Sequence, residues 1–469
     1  MKYPRIIVSA LSGGSGKTIT SLGIVSSLKA KGHAISPFKK GPDYIDAGWL
    51  SLAAGQPCYN LDTFLISANN IIELFKTHTQ NESIAVIEAN RGIYDSIDAE
   101  GSTSTAELAK LINAPVILCL DCTKTTRTLA ALVYGCMKFD PDVIFSGVVL
   151  NRVAGARHEG IIRKCIETHT GIPVIGAIPK LKENMFPERH MGLVPSPEHH
   201  WADNAIDSAK AIAEKYLDLT AICHIADSAG CLKQEEHSNS LHPPLIKKRT
   251  KKYIKVGVAR DAAFQFYYSE NLEALSNEGA ELVFIRPMDD PELPDLDALY
   301  LGGGFPETQA RQLENNHSFR ISLQKAVHSG LPVYAECGGL MYLGKSVIVD
   351  EEPYEMANIF SIVFDLSHRP IAHGYSIITV DQSNPFFPIG TKIRGHEFHY
   401  SRVVEWNKNK DDRLTFHVSR GKGFFEHRDG LCCHNVLAAY THVHAWGTPQ
   451  WASGFIRAAK AYQAQKKGL

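Results

Sequence analysis

The chain has 469 residues, which is too long for one ordinary hydrophobic core, so its length predicts at least two domains. Its 49 Lys and Arg side chains nearly balance its 50 Asp and Glu side chains, which excludes nucleic-acid binding driven by net positive charge. The sequence has no apolar run approaching the ~18 residues of a membrane span and no signal-peptide pattern. Ten scattered cysteines are typical of reduced, buried thiols. We therefore expect a cytoplasmic protein with no nucleic-acid and no membrane partner.

The first half of the chain alternates β-branched apolar runs with helical stretches, a pattern typical of a parallel sheet covered on both faces. The predicted strands are residues 5–11, 83–88, 115–121, 144–151 and 173–178. A helix is predicted around residues 205–219, and a polar stretch with a basic cluster follows it. We therefore predict a domain over residues 1–222 and a linker over residues 223–252.

Alternation resumes after this linker and predicts a second α/β domain over residues 253–469. Its first strands are predicted at residues 255–260, 281–287, 298–301 and 331–336. Beyond Gly344 the pattern changes to antiparallel-looking strands at residues 374–380, 392–399 and 436–444. A helix around residues 449–465 ends the domain.

A glycine-rich loop lies between the first predicted strand and a helical run, which is the context that a phosphate-binding loop requires. The loop consists of Ser12, Gly13, Gly14, Ser15, Gly16, Lys17 and Thr18. Its backbone N–H groups can surround phosphate oxygens, Lys17 can neutralise phosphate charge, and Thr18 can offer a hydroxyl to Mg²⁺. Leu11 replaces the first glycine of the strict pattern, so the loop is a variant. A glycine-rich turn with a surface lysine is the alternative interpretation.

Three acidic residues occur where a magnesium–nucleotide complex would need them. Glu88 ends a predicted strand, and Asp43 and Asp46 lie in the turn after Lys39. Mg²⁺ binds few carboxylates together with phosphate and water, so these three would suffice. Capping of a turn is the alternative role for Asp43 and Asp46. Asn151 closes a later strand, where an amide can contact a nucleotide base or cap a helix.

Cys337 carries the most informative motif of the chain. It ends a short apolar strand and precedes Gly338, Gly339 and a helical run, a pattern that predicts a nucleophile on a strand-to-helix turn. Such a turn exposes the sulfur to the positive end of a helix, so we expect a thiolate. Gly303 and Gly304 follow another strand, and their N–H groups can form an oxyanion hole with that of Gly338.

Two imidazoles, those of His442 and His444, lie at the end of a late predicted strand and are candidate partners of the thiol. A metal-binding pair or a surface strand is the alternative interpretation of this His-x-His pattern. A zinc site would need further ligands.

Several ordered motifs resemble the cobyrinate a,c-diamide synthase family along nearly the whole chain. They are KGPDYID (40–46), NLD (60–62), PERHMGL (187–193), GGFPE (303–307), AECGG (335–339) and RGHEFHYS (394–401). This family joins a dethiobiotin-synthetase-like ATPase domain to a class I glutamine amidotransferase domain. The resemblance therefore implies an α/β fold with an N-terminal P-loop-type parallel sheet and a C-terminal flavodoxin-like domain.

The resemblance also implies an enzyme that uses ATP, Mg²⁺, glutamine and a polycarboxylate tetrapyrrole. One domain phosphorylates an acetate side chain, the other releases ammonia from glutamine through a thioester on Cys337, and ammonia displaces the phosphate to leave an amide. His442 matches the histidine partner of the family. The implied nucleotide-binding residues are Gly13, Gly14, Ser15, Gly16, Lys17, Thr18 and Asn151. The implied metal ligands are Thr18, Asp46 and Glu88, and the implied substrate-handling residues are Lys39, Asp43, Arg91 and Asp95.

The sequence departs from the family pattern at two positions. These departures leave open which ring is the substrate and whether His444 has a catalytic role. His444 stands where class I amidotransferases usually carry a glutamate, which weakens the description of a triad. Arg91 replaces an apolar residue in the segment EANRGIYDS (88–96), which resembles the branch that amidates sirohydrochlorin or sirohaem. Two further functions stay open, a non-catalytic P-loop ATPase or tetrapyrrole chaperone and a thiol hydrolase with a vestigial nucleotide domain. Whether the protein forms a homodimer also stays open.

Overall fold

The computed structural model describes residues 3–80, 82–181, 188–189, 192–193, 202–232 and 254–468. The chain divides into two compact units, an N-terminal unit (Met1–Ser240) and a C-terminal unit (Leu241–Leu469). Residues 187, 190 and 191 of the motif at 187–193, and residues 233–252 of the predicted linker, lie outside the described residues. Within the described ranges, no helix has the length and apolar character needed to cross a membrane.

Seven parallel strands form the main sheet of the N-terminal unit. They are β1 (Arg5–Ala10), β2 (Ile35–Lys40), β3 (Tyr59–Leu61), β4 (Ile84–Glu88), β5 (Val116–Asp121), β6 (Phe145–Val153) and β7 (Val174–Pro179). Their order in the sheet is β3-β2-β4-β1-β5-β6-β7. Every residue of β1 and β4 is buried, as expected for strands covered on both faces. The five predicted strands are confirmed.

Strands β2 and β3 were not among the predicted strands. The sequence of β2 contains a proline and ends in Lys39 and Lys40, composition that argues against a central strand. Both lysine side chains are nevertheless buried. Lys39 forms ion pairs, and Lys40 Nζ donates a hydrogen bond to Thr103 O at 2.6 Å. These polar partners allow a strand with two lysines to lie inside the sheet.

The remaining elements of the N-terminal unit are a small antiparallel ribbon and helices. The ribbon consists of β8 (Glu188–Arg189) and β9 (Gly192–Leu193). The helices are α1 (Lys17–Ala30), α2 (Ile45–Ala54), α3 (Ala68–His78), α4 (Thr105–Leu111), α5 (Arg127–Phe139), α6 (Ala156–Thr170), α7 (Ala202–Tyr216) and α8 (Leu219–Asp227). Helix α8 continues past residue 223, so the described start of the predicted linker is helical.

The C-terminal unit contains a ten-stranded sheet, a four-stranded sheet and five α-helices among the described residues. Its strands are β10 (Ile254–Ala259), β11 (Ala280–Ile285), β12 (Ala298–Leu301), β13 (Val333–Glu336), β14 (Ser346–Val349), β15 (Glu352–Glu355), β16 (Ile362–Leu366), β17 (Ala372–Val380), β18 (Lys392–His399), β19 (Ser401–Trp406), β20 (Arg413–Arg420), β21 (Arg428–Cys433), β22 (Val436–Ala439) and β23 (His442–Val443). Its helices are α9 (Ser269–Asn277), α10 (Ala310–Asn315), α11 (His317–His328), α12 (Gly338–Leu343) and α13 (Gln450–Lys466).

The ten-stranded sheet has the order β11-β10-β12-β13-β22-β21-β20-β17-β18-β23. Its first five strands are parallel and follow the flavodoxin-like order 2-1-3-4-5. The remaining strands pair antiparallel. The predicted fold class of both units is confirmed.

The predicted strand over residues 436–444 is wrong in one respect, because it consists of two strands. Strand β22 pairs parallel with β13, whereas β23 pairs antiparallel with β18. Between them, the buried carboxylate of Asp429 accepts hydrogen bonds from Tyr440 N at 3.0 Å and Thr441 N at 2.9 Å. These backbone groups are therefore not available for strand pairing, and His442 lies on a different ladder from β22.

The packing of α1 against α7 in the N-terminal unit depends on Gly23. A Cβ at this position would lie 2.7 Å from Ala209 O and 2.7 Å from Ala213 Cβ. We expect Gly23→Ala to lower the free energy of unfolding by about 1–3 kcal/mol because the helices would have to separate. Urea unfolding of the full chain, followed by hydrogen exchange in α1, measures this change.

Gly160→Ala is the matched control for that substitution. A Cβ at Gly160 in α6 would have no described atom within 4 Å. We expect this variant to gain about 0.5–1 kcal/mol, because alanine favours the helix more than glycine does. Equal stabilities of the two variants would contradict a close α1–α7 contact.

Candidate functional site

The glycine-rich loop connects β1 to α1, as predicted for a phosphate loop. Gly14 and Gly16 have φ angles of +70° and +93°, which side chains other than glycine rarely adopt. The Lys17 side chain lies over the loop, and its ammonium group donates a hydrogen bond to Ser12 O at 3.0 Å. Burial, and then the neighbouring charge of Lys39, lower the pKa of Lys17. The lysine therefore lies in a desolvated position where an anionic ligand would stabilise its charge.

Asn151 packs directly against this loop. It lies in β6, and its Nδ2 donates to Ser15 O at 3.0 Å. A Cβ at Gly16 would lie 2.2 Å from the same nitrogen, so only glycine fits there. The carbonyl oxygen of the Asn151 side chain accepts from Arg152 N at 3.0 Å. Both ends of the amide are thus used to hold the loop and the strand end in place.

The structure brings five predicted residues into one partly buried cluster beside the loop. Thr18 Oγ1 donates to Glu88 Oε1 at 2.9 Å, and Lys39 Nζ donates to the same oxygen at 2.9 Å. Lys39 Nζ also lies 2.6 Å from Asp46 Oδ2. Asp43 Oδ1 accepts from Asp46 N at 3.0 Å, an N–H in the first turn of α2. Turn capping, the alternative role predicted for Asp43, therefore accounts for one of its contacts.

Burial controls the protonation of this acid cluster. It raises the pKa of Glu88 to about 7 and that of Asp43 to about 6, and Asp46 adds to both shifts. For Asp46 burial acts in the same direction, but Lys39 outweighs it and lowers the pKa. For Lys39 burial lowers the pKa, but Asp46 and Glu88 outweigh it and raise the pKa. The cluster thus holds a charged Lys39–Asp46 ion pair and two carboxyl groups, those of Glu88 and Asp43, whose pKa values are raised.

One oxygen of the cluster is free to accept a cation. Glu88 Oε2 is buried and has no hydrogen-bond partner among the described residues, which is costly unless a ligand supplies one. The described residues contain no group of three or more His, Cys, Asp or Glu side chains that could hold a metal ion. A metal would therefore have to be bound by Glu88, Asp46 and the Thr18 hydroxyl together with oxygens of a ligand. This donor set suits Mg²⁺, which usually retains phosphate and water oxygens.

Arg91 and Asp95 lie in the loop that follows β4. Asp95 Oδ2 accepts from Gly92 N at 2.7 Å, and a Cβ at Gly92 would lie 2.4 Å from Leu11 O. Asp95 therefore holds its own loop close to Leu11, the residue before the phosphate loop. Arg91 has a φ of +52°, a strained value for a side chain of its size.

Asn60 supports the acid cluster, although the sequence analysis assigned it no role beyond its motif. Its Nδ2 donates to Gly41 O at 2.8 Å and to Asp43 O at 3.0 Å. The side chain is buried and so fixes the turn that carries Asp43 and Asp46. Only the pairing of β2 with β3 brings Asn60 opposite Lys39, which explains why no local pattern identified it.

Cys337 occupies the turn between β13 and α12, as predicted. It has φ +47° and ψ −99°, an unfavourable backbone conformation for a residue with a Cβ. Its N donates to Ala439 O at 2.8 Å, and its Sγ lies 3.8 Å from Phe398 O. Strained turns of this kind present a nucleophile at the carboxyl edge of a parallel sheet.

The predicted thiolate is wrong, because burial favours the neutral thiol of Cys337. Cys337 is only 5% exposed, and burial raises the pKa of its thiol, with the carboxylates of Glu307 and Glu336 adding to the effect. The N–H of Gly338 acts in the opposite direction but does not outweigh them. Helix α12 has only six residues, so its dipole is short. The thiol therefore needs a base to remove its proton.

The predicted oxyanion residues lie between the thiol turn and His442. A Cβ at Gly338 would lie 3.0 Å from Gly304 N, and one at Gly303 would lie 2.5 Å from His442 Cε1. Substitution of these glycines would therefore displace backbone or the imidazole. The close approach places N–H groups of two loops in the same small region as the imidazole.

His442 is anchored by a residue that the sequence analysis did not assign a role. Its Nδ1 lies 3.3 Å from Glu336 Oε2, and Glu336 immediately precedes Cys337. The ring stacks on that of His396, its cross-strand partner, with centroids 4.8 Å apart. His444 instead pairs with Glu270, its Nε2 lying 3.5 Å from a carboxylate oxygen. The two histidines of the His-x-His pattern therefore have separate carboxylate partners.

A phosphate loop on one parallel sheet and a cysteine–histidine site on a flavodoxin-like sheet define a glutamine amidotransferase joined to a nucleotide-binding domain. Comparison with protein families agrees with this division. Residues 6–194 match the CobQ/CobB/MinD/ParA nucleotide binding domain. Residues 255–450 match the CobB/CobQ-like glutamine amidotransferase domain.

Curated relatives cover nearly the full chain. A cobyrinate a,c-diamide synthase of Magnetococcus marinus is 40% identical over 97% of this chain and 97% of its own length. One of Archaeoglobus fulgidus is 40% identical over 98% of both, and one of Methanothermobacter thermautotrophicus is 38% identical over 97% of this chain and 99% of its own length. The chain belongs to the cobyrinate a,c-diamide synthase family, so the family predicted from the sequence motifs is confirmed.

The raised pKa of the Cys337 thiol predicts its reactivity without ligand. Because the thiolate fraction grows about tenfold per pH unit below the pKa, alkylation by iodoacetamide should rise steadily from pH 7 to pH 10 without a plateau. Mass spectrometry of the peptide that contains Cys337 measures the rate. The exposed Cys231 serves as the internal reference for reagent quality. A plateau below pH 8 would show that the thiolate already predominates at neutral pH.

Proposed function

We propose that this protein is an ATP- and glutamine-dependent amide synthase that converts the c and then the a acetate side chain of cobyrinate into amides. The proposal is carried by the presence, in one chain, of the Thr18–Lys39–Glu88 cluster at a phosphate loop and the Glu336–His442 contact beside Cys337. The names of the full-length relatives support cobyrinate as the substrate.

The N-terminal unit activates the carboxylate. Lys17 neutralises charge on the phosphates of ATP, and the N–H groups from Gly13 to Thr18 bind their oxygens. Thr18, Glu88 and Asp46 would hold Mg²⁺, which, when bound, reduces the negative charge on the transferred phosphate. The substrate acetate attacks the γ-phosphorus, the bond to the β-phosphate oxygen breaks, and ADP leaves. The resulting acyl phosphate gives the carbonyl carbon a good leaving group.

The C-terminal unit supplies the nitrogen. The sulfur of Cys337 attacks the side-chain amide carbon of glutamine, and His442 takes the thiol proton and passes it to the leaving nitrogen as ammonia forms. N–H groups of Gly303, Gly304 and Gly338 stabilise the oxyanion. Water then hydrolyses the thioester to glutamate. Ammonia attacks the acyl phosphate, and phosphate leaves as the amide forms.

Substrate handling is assigned to Lys39, Asp43, Arg91 and Asp95. Lys39 is already paired with Asp46 and Glu88, so its contribution is to hold these carboxylates in place around the reacting phosphate. Asp43, whose pKa is raised to about 6 by burial, can exchange a proton with the substrate carboxyl. Arg91 and Asp95 share one loop, where Arg91 would attract a substrate carboxylate.

Arg91 favours a second candidate substrate, a sirohydrochlorin-type ring. Arg91 replaces an apolar residue in this loop, as in the branch of the family that amidates such rings, and adds positive charge where a ring carboxylate would bind. Mass spectrometry of the products from cobyrinate, sirohydrochlorin and sirohaem, each incubated with ATP and glutamine, distinguishes the two. Amidation of cobyrinate supports the proposal, whereas amidation of sirohydrochlorin or sirohaem alone would assign the second substrate. ATP hydrolysis without any amide product would indicate a chaperone-type ATPase instead.

Substitutions at the two sites should separate two partial reactions. We expect Cys337→Ala to abolish glutamine-dependent amidation and to retain amidation at high ammonia concentration, because ammonia replaces the product of the thiol site. Lys17→Ala should abolish amidation with either nitrogen donor, because the carboxylate is no longer activated. Product mass and glutamate release are measured for both variants. Equal loss with both donors in Cys337→Ala would refute this division of labour.

A further inference from the structure

Glu336 is the last residue of β13 and is fully buried, yet both of its oxygens are used. Oε1 accepts a hydrogen bond from Val443 N at 3.1 Å. Oε2 accepts from the hydroxyl of Tyr300 at 3.1 Å and lies 3.3 Å from His442 Nδ1. A carboxylate buried without a charged or hydrogen-bonding partner would be very costly, so these contacts account for its presence in the core.

The contact with Glu336 determines the tautomer of His442. A carboxylate oxygen can only accept, so Nδ1 carries a proton and donates it. In the neutral ring this leaves Nε2 as the acceptor. Nε2 lies 3.4 Å from the position of a Cβ on Gly303, the loop assigned to the oxyanion hole. The basic nitrogen therefore faces the region where the substrate amide would react.

A second layer of contacts holds the strand that carries His442. Asn271 Nδ2 donates to Val443 O at 2.7 Å, and Asn271 Oδ1 accepts from Ala445 N at 2.7 Å. Val443 N also donates to Glu336, so hydrogen bonds fix both the N–H and the C=O of Val443 in β23. His442 thus has little freedom to turn its Nδ1 away from the carboxylate.

His444 does not take this role, although it occupies the sequence position of the usual glutamate. Its Nδ1 accepts from Trp446 N at 3.2 Å, and its Nε2 lies 3.5 Å from Glu270 Oε1. Its ring packs against Tyr268, with centroids 4.6 Å apart. Both ring nitrogens of His444 therefore face groups other than His442, and the Glu270 pair lies outside the reacting groups.

We propose that Glu336 is the positioning residue that replaces the missing third member of the triad, orienting His442 and stabilising its protonated form. This inference rests on the proposed function of the C-terminal unit as a glutaminase. When His442 takes the proton from Cys337 Sγ, the imidazolium forms beside the carboxylate. The proton then passes to the leaving nitrogen, the C–N bond breaks, and the neutral tautomer is restored.

The titratable residues around Glu336 and His442 determine which groups can affect the pH profile of glutamate release. The other titratable groups that face Glu336, His442 and His396 are Tyr267, Tyr268, Tyr300, Tyr334, Cys337, His373, His399 and His444. Burial lowers the pKa of His396 well below its usual value, with His442, His444 and His373 adding to the shift, so His396 stays neutral. Burial raises the pKa values of Tyr300 and Tyr334 far above neutrality. His396 and these two tyrosines therefore do not titrate near neutral pH.

Glutamate release by the full-length protein tests the proposal, with Glu336→Gln as the main variant. The amide removes the negative charge and has one acceptor for the three donors that Glu336 now serves. We expect kcat/KM for glutamine to fall by about 10²–10⁴-fold. The acidic limb should move to lower pH by about 1–3 units, because the imidazolium loses its carboxylate. Amidation with ammonia should be unchanged.

Two further variants distinguish positioning from a structural role. Glu336→Asp retains the negative charge. We expect it to keep most of the wild-type glutaminase activity and the same acidic limb in the pH profile. Glu270→Gln removes a second buried glutamate that contacts a histidine, and should leave glutamate release and its pH profile unchanged. Thermal unfolding is recorded for all three, so a loss of folded protein is measured separately.

Each result has a distinct consequence. Wild-type protein that releases no glutamate would overturn the proposed function and this inference with it. If the wild type releases glutamate but the acidic limb of the pH profile does not shift in Glu336→Gln, only the inference about Glu336 is overturned. The same holds if Glu270→Gln loses as much glutaminase activity as Glu336→Gln. If Glu336→Gln does not fold, the pH profile of Glu336→Asp tests the proposal. This variant keeps the carboxylate, so a change in the acidic limb of its glutaminase profile would contradict the proposal.

Discussion

Both candidate sites depend on a carboxylate buried at the end of a parallel strand. Glu88 ends β4 in the N-terminal unit, and Glu336 ends β13 in the C-terminal unit. Neither charge could be buried alone, because desolvation of an isolated carboxylate costs several kcal/mol. The groups that compensate for burial are Lys39 and Thr18 in one unit and Tyr300, Val443 N and His442 in the other. In each unit, stability and site geometry therefore rest on the same contacts.

The two carboxylates create opposite electrostatic conditions for their neighbours. In the N-terminal unit, burial, with a smaller contribution from Asp46, raises the pKa of Glu88 to about 7. One oxygen of Glu88 has no hydrogen-bond partner among the described residues. In the C-terminal unit, burial and nearby carboxylates keep Cys337 as a thiol. The first arrangement is suited to a cation and phosphate. The second makes sulfur attack dependent on proton removal by His442, and hence on the orientation of that ring.

Local patterns predicted much of the fold because parallel strands buried on both faces are almost continuously apolar. Strand β1 and the strands from β4 to β7 have this composition and were predicted, whereas β2 was not, because its two lysines find polar partners only in the folded chain. The split between β22 and β23 was missed for a similar reason. The carboxylate that interrupts the strand belongs to Asp429, which neighbours it in space and not in sequence.

The sequence by itself determined the two-unit α/β organisation, the phosphate loop, the cysteine turn and the family, because each depends on residues that are close together in the chain. Only the tertiary structure decided which carboxylate serves which histidine and whether the cysteine is ionised. His442 and Glu336 are 106 positions apart, and Thr18 and Glu88 are 70 apart, so only the folded chain brings them together. A thiol pKa depends on burial and on charges from several elements, and no local pattern of residues contains that information.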